Sequence, residues 1–301
     1  MKRPFNYIVL AAMALGAVAC SQDDLATSYL SDSKAVHISA QIGENYVSGE
    51  FVTRSNPLGA GEEQTKFNPG DKIAVTAGNQ DYVVYTLDDY NAWMPATTNY
   101  LLWESEMMAF GAYYPVDVNG ASMQTFNQPT DYSSITDLAN ADYMTFSGDL
   151  SNTTSNAVTL QMKRKMARLI IKTSFKDQFE SGYEVSSIII HSNASGYVGG
   201  AVNRSEEGTE ITTYKHGEYF YALLVPTSVD ADKTFLTITV KNVDSPDTEN
   251  LTVKGIPATQ DGYSYEMTVV VGKDKVSVGE VKVSDWKTGG IIEGTAVELV
   301  P

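Results

Sequence analysis

The stretch VHISAQIG, residues 36–43, alternates apolar and polar side chains along its whole length. Its apolar positions are Val36, Ile38, Ala40 and Ile42. Successive side chains of a β-strand point to opposite faces, so this period of two predicts a strand with one buried face. The stretch therefore favours β-structure at the start of the folded chain.

The rest of the chain contains further short β-rich segments separated by polar turns. Among the predicted strands are residues 72–76, 107–114, 158–162 and 263–271, whereas residues 117–140 are predicted to form a long polar loop. No long segment carries apolar residues at helical spacing. Many short strands joined by polar turns are typical of β-sandwiches, so the predicted fold class is all-β.

Length and a break in the pattern predict two β-sandwich domains in tandem. The 301 residues are many for a single sandwich. The alternation is interrupted around residues 174–184. We therefore expect an N-terminal sandwich at residues 36–177, a C-terminal sandwich at residues 178–288 and a separate strand at residues 289–301.

The first twenty residues have the order of a secretory signal. Lys2 and Arg3 precede an uncharged run at residues 8–19, and small residues lead into Cys20. A membrane-spanning helix needs about 20 apolar residues, so we expect residues 1–19 to be removed as a signal peptide. Removal changes the net charge from −16 to −18, because two cations are lost. So acidic a chain argues against nucleic acid as a partner.

Cys20 is the only cysteine in the chain. Its position after Ala17, Val18 and Ala19 fits a bacterial lipobox, in which the cysteine carries fatty acyl chains such as palmitate. Two or more such chains hold a protein firmly in a bilayer. We expect residues 20–35 to be a lipidated tether attached to outer-membrane lipid through Cys20. The alternative is plain secretion with an unpaired cysteine.

The end of the chain carries a second alternating stretch. Ile291, Thr295, Val297 and Leu299 share one face of residues 291–300. Three uses remain open for such a strand: it closes its own sheet, it has no role, or it pairs with another molecule.

Motifs for catalysis and for cofactor or metal binding are absent from the sequence. We therefore expect no enzyme activity, no catalytic residues, no cofactor and no metal. Asp88, Asp89, Asp230 and Asp232 are predicted to cap turns, with calcium binding as the alternative. The aromatic stretches 82–90 and 219–221 are predicted to pack in a core rather than to form a sugar platform.

Several short motifs, taken in order, resemble the fimbrillin family, the pilins of Bacteroides-type pili. The resemblance extends over essentially the whole mature chain. Separately, the stretch SQDD at residues 21–24 resembles the acidic export tag by which Bacteroides-type bacteria send lipoproteins to the cell surface. The matching stretches are Val52–Ser55, Phe67–Ile73, Phe110–Pro115, Asp142–Met144, Lys165–Leu169, Leu223–Pro226, Gly262–Tyr265 and Trp286.

The resemblance implies assembly by donor-strand exchange. Fimbrillins have two transthyretin-like sandwiches, reach the surface as outer-membrane lipoproteins and are trimmed after an arginine, here Arg54 before Ser55. Trimming removes a first strand, here residues 36–42. The C-terminal strand of another pilin subunit, here represented by residues 291–300, fills the groove. An open sheet edge is a template for such pairing.

Two functions from different classes follow. The first is a structural pilin subunit of a surface fimbria, which supports adhesion to a ligand on a host or bacterial surface. The alternative is a monomeric surface lipoprotein that binds glycan. In the second case Arg54 is an ordinary solvated residue, and no strand is exchanged.

Overall fold

The computed structural model describes residues 28–43, 67–116, 125–175, 182–256, 258–272, 276–285 and 291–292. Within these ranges the chain is almost entirely β-structure, as predicted. Residues 28–31 form a helical turn, and one further helix, α1, spans Ile135–Asn140. Its first turn is closed by a capping box in which Ser134 Oγ accepts from the Asp137 amide and the Asp137 carboxylate accepts from the Ser134 amide.

The first half of the chain builds one seven-stranded sheet. Its strand order is β1-β8-β7-β5-β2-β3-β4, with β1 at one end. β1 runs parallel to β8, and the other neighbours are antiparallel. The strands are β1 (His37–Ile42), β2 (Lys72–Ala77), β3 (Val83–Leu87), β4 (Trp93–Pro95), β5 (Met107–Tyr114), β7 (Met144–Ser151) and β8 (Ala157–Arg164).

Two further sheets contain the rest of the strands. One has the order β11-β10-β14-β15, with β6 added against β10. The other has the order β12-β13-β9-β16-β17-β18. The strands are β6 (Thr125–Asn127), β9 (Ala167–Phe175), β10 (Tyr183–Val198), β11 (Ala201–Thr212), β12 (Tyr214–His216), β13 (Tyr219–Leu224), β14 (Val229–Asn242), β15 (Thr248–Ile256), β16 (Tyr263–Val271), β17 (Val276–Asp285) and β18 (Ile291–Ile292).

The buried apolar side chains form two clusters. The first core is filled from the seven-stranded sheet and from the segments that flank it, and includes Ile73, Tyr85, Leu101, Leu160 and Met162. The second core joins side chains of both remaining sheets, among them Leu169, Ile171, Ile188, Ile238 and Val269. Burial of an aliphatic side chain contributes about 1.5–3 kcal/mol, so each cluster stabilises its own set of strands.

The chain passes from the first core to the second between β8 and β9. Met162 belongs to the first core and Met166 to the second. β9 pairs with β13 and β16 of the six-stranded sheet. The change of core therefore comes before the expected boundary between residues 177 and 178, because β9 completes the second core. Two independent tandem domains stay a prediction.

The segment 125–143 also packs on the second core, although the chain returns afterwards to β7. The expectation of a long loop at residues 117–140 was wrong for residues 125–127 and 135–140, which form β6 and α1. The buried side chain of Gln128 accepts from the Val225 amide at 2.6 Å and donates to the Leu223 carbonyl at 3.0 Å. These bonds fix the segment to the end of β13.

Close contact between β6 and β10 requires a glycine. Gly196 has a φ of +154° and pairs with Asn127. A Cβ at this position would collide with the carbonyl oxygen of Phe126. Only glycine lets the two backbones approach this closely.

Candidate functional site

β1 is the edge strand of the seven-stranded sheet and pairs, among the described residues, with β8 alone. Its register runs from His37 opposite Ala157 to Ile42 opposite Met162. The ladder is closed at its two ends by bonds from the His37 amide to the Asn156 carbonyl and from the Gly43 amide to the Met162 carbonyl, both 2.9 Å. A strand at the edge of a sheet is held by the ladder with one neighbour.

The predicted apolar face of β1 is turned into the first core. Val36, Ile38 and Ile42 are buried, and Ala40 is partly buried against the same cluster. Three register pairs carry the contact, Ile38 with Val158, Ala40 with Leu160 and Ile42 with Met162. Because the alternating side chains of β1 fit a row of buried side chains on β8, a slip of one residue would expose all of them. We call the site that β1 occupies, along residues 157–162 of β8 and over the first core, the slot. A strand in this slot has a fixed register.

The beginning of β1 is held from both sides. The Val36 amide donates to the Leu101 carbonyl at 2.9 Å, and the Trp103 amide donates to the Lys34 carbonyl at 2.8 Å. On the other side Asn156 donates through Nδ2 to the Ser33 carbonyl at 2.7 Å. The slot is therefore closed at this end by the segment 101–103 and by the turn before β8.

Tyr29 adds a side-chain anchor to β1. Its hydroxyl donates to the Val36 carbonyl at 3.0 Å and accepts from the Ile38 amide at 3.3 Å. The ring lies between Tyr85 and Tyr100, with centroid distances of 6.2 and 5.4 Å. Burial raises the pKa of Tyr29 to about 12, although the bond from Ile38 opposes this.

The expected tether is therefore wrong for residues 28–35. These residues are part of the fold, because Tyr29 and Ala35 are buried in the first core. Their polar composition hid the two apolar positions, and a contact between Tyr29 and Tyr85 cannot be inferred from local sequence. The anchor of β1 was missed for that reason.

The C-terminal stretch is described only at Ile291 and Ile292. These two residues form β18, which pairs antiparallel with Ser284 and Val283 of β17. Thr295, Val297 and Leu299, with the rest of residues 293–301, lie outside the described residues, as do Cys20, Arg54 and Ser55. No helix among the described residues is long and apolar enough to cross a membrane.

The three arginines of the described fold are held within strands. Arg164 donates through Nε to both carboxylate oxygens of Asp142, at 3.1 and 3.0 Å, and both side chains are buried. Arg168 is buried and donates to Ser264 Oγ at 2.8 Å. Arg204 lies in β11 and donates to Asn193 Oδ1 at 2.6 Å.

Other residues singled out in the sequence are spread over the molecule. His37, His191 and His216 lie on strands of three different sheets. Among the described residues no group of three or more potential metal ligands occurs. The Asp88 carboxylate accepts from two turn amides, as predicted. Asp230 and Asp232 lie in β14 and not in a turn, which corrects the expectation for them.

The aromatic stretches mainly pack in the cores, as predicted. Tyr85 is buried in the first core, and Phe220 and Tyr221 are buried in the second. Tyr90 is 91% exposed at the turn between β3 and β4. Tyr82 is 38% exposed, and its ring lies 5.4 Å from the ring of Tyr113.

A model of the fimbrillin-like family matches residues 56–286, which is most of the chain. The chain belongs to the fimbrillin-like family. The match begins two residues after Arg54 and excludes β1 and residues 291–301. The family model therefore covers the part of this fimbrillin that lies between the two candidate exchange strands.

Solved structures resemble this fimbrillin in fold. A candidate cell adhesion protein from Bacteroides uniformis is 18% identical, with a TM-score of 0.55 over 84% of this chain and 98% of the other. A candidate cell adhesion protein from Bacteroides ovatus is 12% identical, with a TM-score of 0.56 over 86% of this chain and 100% of the other. No curated protein matches the sequence.

Proposed function

We propose that the chain is a structural subunit of a bacterial surface fimbria, which supports adhesion and assembles by donor-strand exchange after its first strand is removed by proteolysis. Membership of the fimbrillin-like family supports a fimbrial, adhesion-related subunit without enzymatic activity. The observation that carries the finer statement is the position of β1. It is an edge strand whose alternating face enters the first core.

Loss of β1 would leave a slot that another strand can fill. The buried side chains of Val158, Leu160 and Met162 would face water, as would the backbone edge of β8. Exposed apolar surface costs about 25 cal/mol per Å², and an unpaired backbone edge attracts further strands. A head-to-tail contact between one slot and the next donor does not close on itself, so it generates a fibre.

Arg54 is the proposed cleavage point, with Ser55 as the first residue of the trimmed chain. The arginines of the described fold support a selective cut. Arg164 and Arg168 are buried, and Arg204 lies within a strand, so their peptide bonds do not fit an extended protease cleft. Before trimming, Cys20 would anchor the chain in the outer membrane through its lipid.

Residues 291–300 are the proposed donor strand, with Ile291, Thr295, Val297 and Leu299 on the inserted face. In the single chain Ile291 and Ile292 pair with β17. Among the described residues this ladder has two residue pairs, and donation would exchange it for a ladder along β8 of a neighbouring subunit. The partners are thus other pilin subunits, of the same or a related kind.

The experiment begins with the chain lacking residues 1–20, cut by an arginine-specific protease and freed of residues 21–54 in mild denaturant. The trimmed chain should bind a labelled peptide of residues 28–43, measured by fluorescence anisotropy. A peptide with Ile38→Asp and Ile42→Asp should not bind, whereas one with Ser39→Asp should. At high protein concentration the trimmed chain should form oligomer ladders that deletion of residues 289–301 abolishes.

Two results would contradict the proposal. Equal binding of the Ile38→Asp, Ile42→Asp peptide would show that the slot has no register. A trimmed chain that stays monomeric, binds none of the three peptides and is retained on immobilised mannan or starch would favour the glycan-binding lipoprotein instead.

A further inference from the structure

The slot of β1 continues into an aromatic side pocket that Tyr29 fills. Tyr29 is 1% exposed, whereas its neighbour Leu30 is 60% exposed. The tyrosine ring therefore penetrates the first core, and the helical turn that carries it remains at the surface. Tyr85 and Tyr100 form two walls of the pocket. Tyr85 is itself fully buried, and its hydroxyl accepts from the Leu101 amide at 3.0 Å.

Removal of the N-terminal segment would empty this pocket together with the slot. Tyr29 precedes Arg54 in the chain, so a cut after Arg54 releases it with β1. Asp32, whose carboxylate accepts from the Tyr100 hydroxyl at 3.0 Å, would leave as well. The walls belong to residues 85–101 and would remain. A strand that only restores the β8 ladder would leave a cavity between these two rings, and such cavities are destabilising.

The chain's own tail carries no side chain of the required size and shape. Residues 289–301 read GGIIEGTAVELVP and contain no phenylalanine, tyrosine or tryptophan. Their aliphatic side chains suit the alternating slot along β8. None of them carries an aromatic ring that could pack against Tyr85 and Tyr100 as Tyr29 does. The aromatic residue that precedes this stretch most closely is Trp286.

We propose that the groove of the trimmed chain selects a donor strand with an aromatic side chain for the pocket between Tyr85 and Tyr100, so its preferred partner is a different pilin subunit and not a second copy of this chain. The proposal rests on the proposed function, because it assumes that β1 is removed and replaced. It adds a determinant of partner choice to the slot. The aliphatic row fixes register, and the aromatic pocket distinguishes one donor from another.

The trimmed chain described above allows a direct test by peptide binding. The peptide of residues 28–43 is compared with its Tyr29→Ala and Leu30→Ala variants and with the tail peptides 289–301 and 286–301. Loss of a buried aromatic ring should weaken binding at least about tenfold, and truncation at an exposed position should leave it unchanged. The tail peptides should bind no more tightly than the Tyr29→Ala peptide.

The outcomes separate this proposal from the one on which it rests. One outcome is equal binding of the Tyr29→Ala and Leu30→Ala peptides while the Ile38→Asp, Ile42→Asp peptide does not bind. That result would support the slot and contradict the aromatic selection. If either tail peptide binds as tightly as residues 28–43, the preference for a different subunit is wrong. If no peptide binds, strand exchange itself fails.

A measurement on the uncut chain keeps the pocket testable if the trimmed chain aggregates. Tyr29→Ala should lower the thermal midpoint, and added 4-methylphenol, which reproduces the lost ring, should restore part of it. Leu30→Ala is the matched control. This substitution should leave the thermal midpoint unchanged, and added 4-methylphenol should not shift it. The pocket would be contradicted if the Tyr29→Ala chain had the same thermal midpoint as the Leu30→Ala chain and 4-methylphenol did not raise it.

Discussion

The Nε–H group of Arg164 lies 3.1 and 3.0 Å from the two carboxylate oxygens of Asp142. The pair joins the end of β8 to the residues that precede β7, where the chain passes between the two cores. Both side chains are buried. A buried charge requires a partner, so this pair ties the local backbone path to a specific side-chain contact.

Asp142→Ala is expected to destabilise the protein strongly. The substitution leaves the Arg164 guanidinium buried without this carboxylate, which typically costs about 3–5 kcal/mol. The free energy of unfolding from urea denaturation measures the loss. Asp261→Ala is the matched control, because it breaks the neighbouring and more exposed pair with Lys165. Exposed pairs contribute about 0–1 kcal/mol, so equal losses for the two variants would contradict this role of Asp142.

Gly196→Ala is expected to detach β6 from β10. The new Cβ would meet the carbonyl oxygen of Phe126, and the backbone has a φ of +154°. Gly217→Ala is the control, since Gly217 also has a positive φ, +62°, but no atom lies within 4 Å of its added Cβ. Backbone strain alone costs about 1–2 kcal/mol. The Gly196 variant should lose clearly more in urea denaturation, and a loss equal to the control would show that the close approach is unimportant.

The alternating strands could be predicted from the sequence with good accuracy. Residues 107–114 and 263–271 were predicted with the bounds that β5 and β16 have. The buried face of β1 was also predicted correctly. In β5 the alternate side chains Met108, Phe110, Ala112 and Tyr114 enter the first core, and in β16 the alternate side chains Tyr265, Met267, Val269 and Val271 enter the second. The burial of alternate side chains is the physical cause of the strand pattern.

Elements held by long-range contacts were not predicted. β11 was missed because its sequence AVNRSEEGTEIT is mostly polar, and its ladder with β10 holds it in place. α1 is too short for a helical period, although Ser134 and Asp137 have the spacing of a capping pair. Tyr29 was missed because its partners, Tyr85 and Tyr100, are distant in sequence. The slot could thus be predicted, but its aromatic pocket could not.

Stability of the first core is expected to fall at alkaline pH. The pKa of Tyr29 is raised to about 12 by burial, above the value of about 10 in an unfolded chain. The neutral phenol is therefore favoured in the folded state, so its contribution is complete below about pH 10 and is lost as pH rises towards about 12. Burial raises the pKa of Tyr85 in the same direction. Urea midpoints at about pH 8 and about pH 11 measure the effect.

Tyr29→Phe separates titration of Tyr29 from packing. The variant keeps the ring but loses the hydrogen bonds to Val36 and Ile38, so at about pH 8 it should be less stable by about 1–3 kcal/mol. It has no phenol to ionise at this position, and its stability should therefore fall less between about pH 8 and about pH 11. Parallel pH curves for the two proteins would be inconsistent with ionisation of Tyr29.

An arginine-specific protease is expected to cut the folded chain lacking residues 1–20 once, after Arg54. Arg164 and Arg168 are buried, and the peptide bonds around Arg204 are held in the ladder between β11 and β10. A protease binds its substrate as an extended strand, so these bonds would have to leave their sheets before cleavage. Mass spectrometry of the product should give a new N-terminus at Ser55.

Arg54→Lys should abolish the cut while it preserves charge and side-chain length, and Arg204→Lys should leave the cut unchanged.

Cleavage alone should not release the N-terminal segment, because Val36, Ile38 and Ile42 remain buried and each contributes about 1.5–3 kcal/mol. The cut protein should therefore elute from gel filtration with residues 28–43 still bound and lose them only in denaturant. Spontaneous release would mean that β1 is held too weakly to block assembly. Equal cutting after Arg204 would mean that the ladder between β11 and β10 does not protect this arginine from the protease.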